Sequence, residues 1–149
     1  MIAIAPTDHD WFEQLSENAP HQVVNFWTPT PWNIRGLSED DRFYFMRKAP
    51  IREVGGYGRF VEYENLTAEE AWCRFGEANG VRSLDELIDR TIGYAENRSE
   101  TFELTDNPTI GCVVLREPVF FSEERYIHLD DLEDEISFPQ QVVKHKYFE

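Results

Sequence analysis

Three glycines stand inside one strand-like run, Ile51 to Tyr63 (IREVGGYGRFVEY), and they restrict the fold more than any other feature of the chain. The run has the β-branched and aromatic content of a strand. Glycine inside a strand marks a bulge, a sharp bend, or a point where another backbone or a ligand comes close. Gly55, Gly56 and Gly58 therefore fit a curved or closed sheet, either as a barrel corner or as a ligand-facing turn.

After that run the pattern changes from strand to helix. Thr67-Ala-Glu-Glu70 and Ser83-Leu-Asp-Glu86 both fit the capping box. The first predicted helix carries Ala71, Trp72 and Phe75 inward and stops at Asn79-Gly80. The second carries Leu84, Leu87, Ile88 and Ile92. Upstream, Ile2 to Ala5, Gln22 to Phe26 and Arg42 to Met46 read as strands. A short helix capped by Asp8 lies between the first two, with Trp11, Phe12 and Leu15 on one side. Downstream, Ile110 to Leu115, Val119 to Phe121 and Tyr126 to Leu129 read as strands, before an acidic tail from Asp130. There is no internal repeat and no interdomain linker. A chain of 149 residues is expected to form a single domain, residues 1–149. About six short strands around two or three helices make it α+β, with a curved or closed sheet.

Charge and aromatic content narrow the partners. Acidic residues number 29 against 14 basic ones, a formal net charge of −15, and only Lys48, Lys144 and Lys146 are lysines. Such a surface suits a salt-rich cytoplasm or a basic protein partner, and in ordinary salt it opposes nucleic-acid binding. Eleven Phe, six Tyr and four Trp either fill a β-rich core or line a site that stacks flat ligands. The N-terminal residues lack the pattern of a secretion signal, and no stretch approaches the roughly 20 apolar residues of a membrane helix. Cys73 and Cys112 form no CxxC pair. A cytoplasmic protein with reduced thiols, no metal and no cofactor is expected.

No enzyme pattern emerges. His9, His21, His128 and His145 fall in no HExxH or HNH arrangement, and no Gly-x-Ser-x-Gly elbow is present. The glycine run lacks the Lys-Ser/Thr of a phosphate loop. The segment from Asn25 to Asn33 (NFWTPTPWN) is more informative. Trp27 and Trp32 lie five apart in a proline-stiffened stretch after a strand. They either lid the barrel mouth or sandwich a flat ring whose edge is read by Asn25 or Asn33. Arg47, Lys48, Arg52 and Arg59 make a locally basic group, which is either ordinary strand-edge charge or a rim that contacts phosphate.

The succession VNFWTPTPWNIRGLSEDDRFYFMRKAP, VGGYGRF, AWCRFGEANG, SLDEL and IGCVVLREPVFF resembles the N-terminal domain of bacterial and archaeal HNH restriction endonucleases. The resemblance runs over about residues 1 to 147, and its order is more specific than any one piece. It implies a PUA-like fold close to the EVE domains, with ASCH, YTH and SRA-type readers as relatives. It also implies a sensor that receives a flipped, modified cytosine of DNA, while a separate HNH domain cuts. Asn25, Trp27 and the Gly55-Gly56-Tyr57-Gly58 turn match the pocket-forming positions, with Trp32 and Asn33 in the adjoining loop. No His-Asn-His cluster stands here, and residues 145–149 fall where the family's linker to the nuclease would begin. The expected function is thus a non-catalytic modified-base reader that binds nucleic acid and involves no membrane. A modified-RNA module and a protein-interaction domain with a filled pocket are the alternatives. An enzyme acting on a nucleotide would need a polar cluster that these residues do not supply.

Overall fold

The computed structural model describes residues 2–29, 31, 36–48, 51–97, 107–128, 131 and 146–148. Trp32, Asn33 and His145 lie outside them. The strands are β1 (Ile2–Thr7), β2 (Val23–Thr28), β3 (Arg42–Arg47), β4 (Glu53–Thr67), β5 (Thr109–Phe120), β6 (Ile127–His128) and β7 (Lys146–Phe148). The helices are α1 (His9–Glu17), α2 (Ala68–Phe75) and α3 (Leu84–Asn97), with a 3-10 turn at Gly76–Asn79.

One sheet runs in the order β2-β5-β4-β3-β1-β7, and β6 pairs with β4. All pairings are antiparallel except β1 with β3, which is parallel. The glycine-rich run is one strand of 15 residues rather than an interrupted one. Its register shifts against β5 at Tyr57/Arg59 and Phe60/Glu62, and β3 is irregular at Phe45/Met46. Such shifts bend and twist a strand, and they let β4 serve first β3 and β6 and then β5 alone. The two strands expected over residues 110–121 are likewise one, β5, which keeps β4 company along most of its length.

Alternation sorts the side chains. Ala3, Ala5, Val24, Phe26, Phe43, Phe45, Phe60, Val113 and Leu115 point to one face, where Trp11, Phe12 and Leu15 of α1 complete the main core. Trp11 meets Phe26 and Phe45 edge-on at 5.2 and 5.1 Å, a favoured geometry for aromatic pairs. Most of the described aromatic excess is thus spent on packing, and each fully buried ring contributes about 1.5–3 kcal/mol. On the other face Ile110 and Cys112 pack against Ala68, Ala71, Val81 and Leu87 of the helical segment.

The caps follow the sequence. Asp8 accepts from the Trp11 amide at 3.3 Å. Thr67 and Glu70 form the reciprocal box, at 3.2 and 3.1 Å. In the second box Ser83 accepts from the Glu86 amide, but the Glu86 carboxylate reaches the amide of Arg82, one residue further back. Past α2 the chain tightens into the 3-10 turn and leaves through Gly80, at φ +72°. A Cβ there would also run into the Trp11 ring, so only glycine fits.

Candidate functional site

Alternation along β2 sends Val24 and Phe26 into the main core and Asn25 and Trp27 to the opposite, helix-bearing face. There Asn25 meets Asn79 of the 3-10 turn, and both are fully buried. Asn79 Nδ2 donates to the carbonyls of Ala71 (3.0 Å) and Gly76 (2.8 Å). Its amide is therefore held with Oδ1 facing Asn25, whose Nδ2 donates at 2.8 Å. Asn25 Nδ2 also donates to Cys112 Sγ at 3.3 Å. Every side-chain N–H of this pair thus has an acceptor, and Asn25 Oδ1 is left buried without a partner. A buried acceptor in that state costs about 1–3 kcal/mol.

Trp27, half-buried, packs on both cores, and its Nε1 donates to the Asn79 carbonyl at 2.8 Å. Trp11 Nε1 donates to the Asn25 carbonyl at 3.0 Å. Asn79 therefore orients two of the residues that the sequence placed in a pocket, Asn25 and Trp27. Only the Asn-Gly ending of AWCRFGEANG marked it beforehand, as a helix stop. Burial pushes the Cys112 thiol up to about 11, against the pull of the Asn25 amide, so it stays protonated and non-nucleophilic at neutral pH.

The glycine turn lies differently. A Cβ on Gly55 would meet the Phe12 ring at 2.5 Å, and one on Gly58 the Leu115 Cβ at 2.8 Å. One on Gly56 would run into the Val119 carbonyl. Gly55 and Gly58 thus close on the main core, on the other face of the sheet from the Asn25 side chain. Tyr57 alone of the four joins an outer cluster, 5.7 Å from Tyr44 and 6.2 Å from Phe121, with the Arg42 guanidinium 4.7 Å above its ring.

The basic residues separate. Arg47 is 6% exposed. Its guanidinium sits over Phe12 at 4.6 Å, donates to the Tyr126 hydroxyl at 2.9 Å, lies 3.3 Å from His9 Nδ1, and pairs with Glu13 at 3.5 Å. It lines a cleft of about 690 Å³ whose rim is Glu13, Glu17, Glu53 and Glu123, a setting that repels phosphate. Lys48 is exposed, as is Arg52, whose φ is +49°. Arg59 is half-buried and faces outward beside two arginines the sequence did not single out, Arg42 and Arg116. Among the described residues no three His, Cys, Asp or Glu gather as metal ligands, and no helix is long and apolar enough to cross a membrane.

No family model and no curated protein matches the chain. Solved structures do. The crystal structure of ASCH from Zymomonas mobilis superposes with a TM-score of 0.62 at 15% identity, covering 99% of this chain and 87% of that one. The fold is PUA-like, of the ASCH form. A tyrosine-to-phenylalanine mutant of that ASCH protein gives a TM-score of 0.63 at 13% identity, covering 99% of this chain and 90% of that one. A serine-to-alanine mutant gives 0.61 at 15%, covering 99% and 88%. At these identities the likeness to ASCH extends to the fold, and it bears out the PUA-like expectation from sequence.

Proposed function

We propose that this chain is a nucleic-acid-binding reader that holds an extruded, modified base beside Trp27. Modified cytosine in DNA is the first expectation. The domain would act as the sensor of a modification-dependent restriction system whose cutting is done by a separate nuclease. The observation that supports this is the unpartnered, buried Oδ1 of Asn25. An isolated acceptor next to an indole suits a base that offers an exocyclic amine, as the N4 amine of cytosine does. Trp27, oriented through its Nε1, supplies one stacking wall, worth about 1–3 kcal/mol per base. Trp32 and Asn33 are proposed as the facing wall and second edge contact. Lys48, Arg52 and Arg59 are proposed to hold flanking phosphates. No covalent step is proposed.

A specific observation favours the rival reading of an interaction domain with a filled pocket: Trp27 already packs on both cores, and its N–H is bound internally. Binding separates the two. Duplexes with unmodified, 5-methyl- and 5-hydroxymethylcytosine, and RNA carrying the same marks, are titrated while tryptophan emission is followed. Selective binding that Asn25→Ala abolishes supports the reader. Failure of every modified DNA and RNA to bind the folded protein refutes it.

A further inference from the structure

Arg42, Arg59 and Arg116 stand side by side across three strands. Arg42 is opposite Arg59 in the β3–β4 register, and Arg59 is opposite Arg116 in the β4–β5 register. The next row is Tyr44, Tyr57 and Val119. Like charges directly opposite one another destabilise a sheet, so such a row needs counter-charge. An acidic turn supplies part of it. Arg116 pairs with Glu39 at 3.5 Å and with Asp40. Arg59 lies 3.8 Å from Glu117 and donates to the Asp40 carbonyl at 3.4 Å. Arg42 has no carboxylate partner among the described residues; it donates to the Tyr44 hydroxyl at 3.2 Å and lies over Tyr57.

We infer that this face is a track for the backbone of an unpaired nucleic-acid strand, and that the Glu39–Asp40 turn competes with phosphate for it. The occupant follows from what the row can exchange: Arg42 has no carboxylate partner among the described residues, and Arg59 and Arg116 hold theirs at the surface, so phosphates can take the place of those carboxylates. Tyr44 and Tyr57, both partly buried, form the next row, and a base can pack against their outer parts beside the Arg42 guanidinium that lies over Tyr57. The competing carboxylates are surface groups, 68% exposed at Glu39, 52% at Asp40 and 74% at Glu117, and pairs of this kind are readily exchanged. Yet the turn is no passing contact. Asp40, at φ +74°, donates its amide to the Phe60 carbonyl at 2.9 Å, and the Asp41 carbonyl accepts from the Phe60 amide at 2.8 Å. The carboxylates are therefore presented to the arginines by a pinned backbone.

The track deepens the reader proposal and rests on it for direction. Arg116 is opposite Val23, two residues from Asn25, about 7 Å along the strand. A strand lying on the row would deliver its next base toward Trp27.

The test uses fluorescein-labelled, unmodified oligo-dT and oligo-U, titrated over a salt series with the wild type, R42Q/R59Q and D40N. Asparagine tolerates the Asp40 backbone, so D40N removes the charge without strain. At least one homopolymer is expected to bind. R42Q/R59Q should weaken it tenfold or more and flatten the salt slope by about 1.4, at roughly 0.7 per phosphate contact. D40N should tighten it several-fold, a gain that no folding defect produces. Unchanged binding by a folded R42Q/R59Q, or no binding of either homopolymer even to D40N, overturns the inference. Homopolymer binding without any preference for a modified base would sink the reader and leave the track standing. Selective duplex binding that ignores R42Q/R59Q would do the reverse.

Discussion

Replacing Asn79 by alanine removes three hydrogen bonds at once: buried ones to the Ala71 carbonyl and from Asn25 Nδ2, and a part-buried one to the Gly76 carbonyl. At about 1 kcal/mol each, the loss is about 3 kcal/mol. In a domain of this size that lowers the melting temperature by roughly 6–12 °C. The Trp27 bond survives, because it ends on the Asn79 main-chain carbonyl. Asn25→Ala behaves differently. It loses the bond to Asn79 and the weak one to Cys112, but it also removes the unpartnered Oδ1. In exchange Asn79 Oδ1 loses its donor, so one unpaired buried acceptor replaces another and the cost is that of the two lost bonds, about 2 kcal/mol. Urea unfolding followed by far-ultraviolet circular dichroism measures both, with an unchanged m-value as the sign that only stability has moved. If Asn25→Ala costs as much as Asn79→Ala, Oδ1 is satisfied in solution. The argument from a vacant acceptor then collapses, and the reader proposal loses its main support.

Three further outcomes are expected. Gly56→Ala forces β4 and β5 apart at Val119, and Gly58→Ala drives its Cβ against the Leu115 Cβ, which only the backbone can move; thermal melts should show a loss for both, larger for Gly56→Ala, and Leu115→Ala, which keeps that Cβ, should restore neither fully. Thr67→Ala removes the hydroxyl of the capping box and should cost about 1 kcal/mol by urea unfolding, a loss that Thr67→Ser should largely avoid. The Cys112 thiol is pushed to about 11 in the fold against 9.0 ordinarily, so its contribution to stability is complete below pH 9 and is lost as pH rises toward 11; Cys112→Ala should show a shallower decline over that window, and a thiol reagent at neutral pH should label exposed Cys73 alone.

Much of the fold was legible because its signals are local. The Thr67 box, the Asp8 cap and the strand at Gln22 to Phe26 need only neighbouring residues, and all three stand in the structure, the strand running on through Trp27 to Thr28. The glycine run announced a bent strand for a sound reason, since packing against Phe12, Val119 and Leu115 leaves no room for side chains. What stayed hidden depends on distant partners. Asn79 acquires its importance from a strand 54 residues earlier. Arg47 looks like a surface cation in RFYFMRK, yet it is buried between α1 and Tyr126, which lies 79 residues along the chain. The arginine row could not be seen from sequence, because it depends on a register shift between Tyr57 and Arg59. Nothing in the local pattern announces the shift.

The parallel pairing of β1 with β3 has a practical side in handling the protein. β3, with the sequence RFYFMR, is rich in aromatic residues, and β1 covers the edge of it that β4 does not. A truncation that removes the first seven residues would bare an aromatic-rich strand edge ready to pair with another molecule. Such a fragment would accumulate as insoluble material even if every residue of the proposed binding face were intact. Soluble yield of that truncation, compared with the whole chain, reports directly on how much β1 does to keep the sheet solitary.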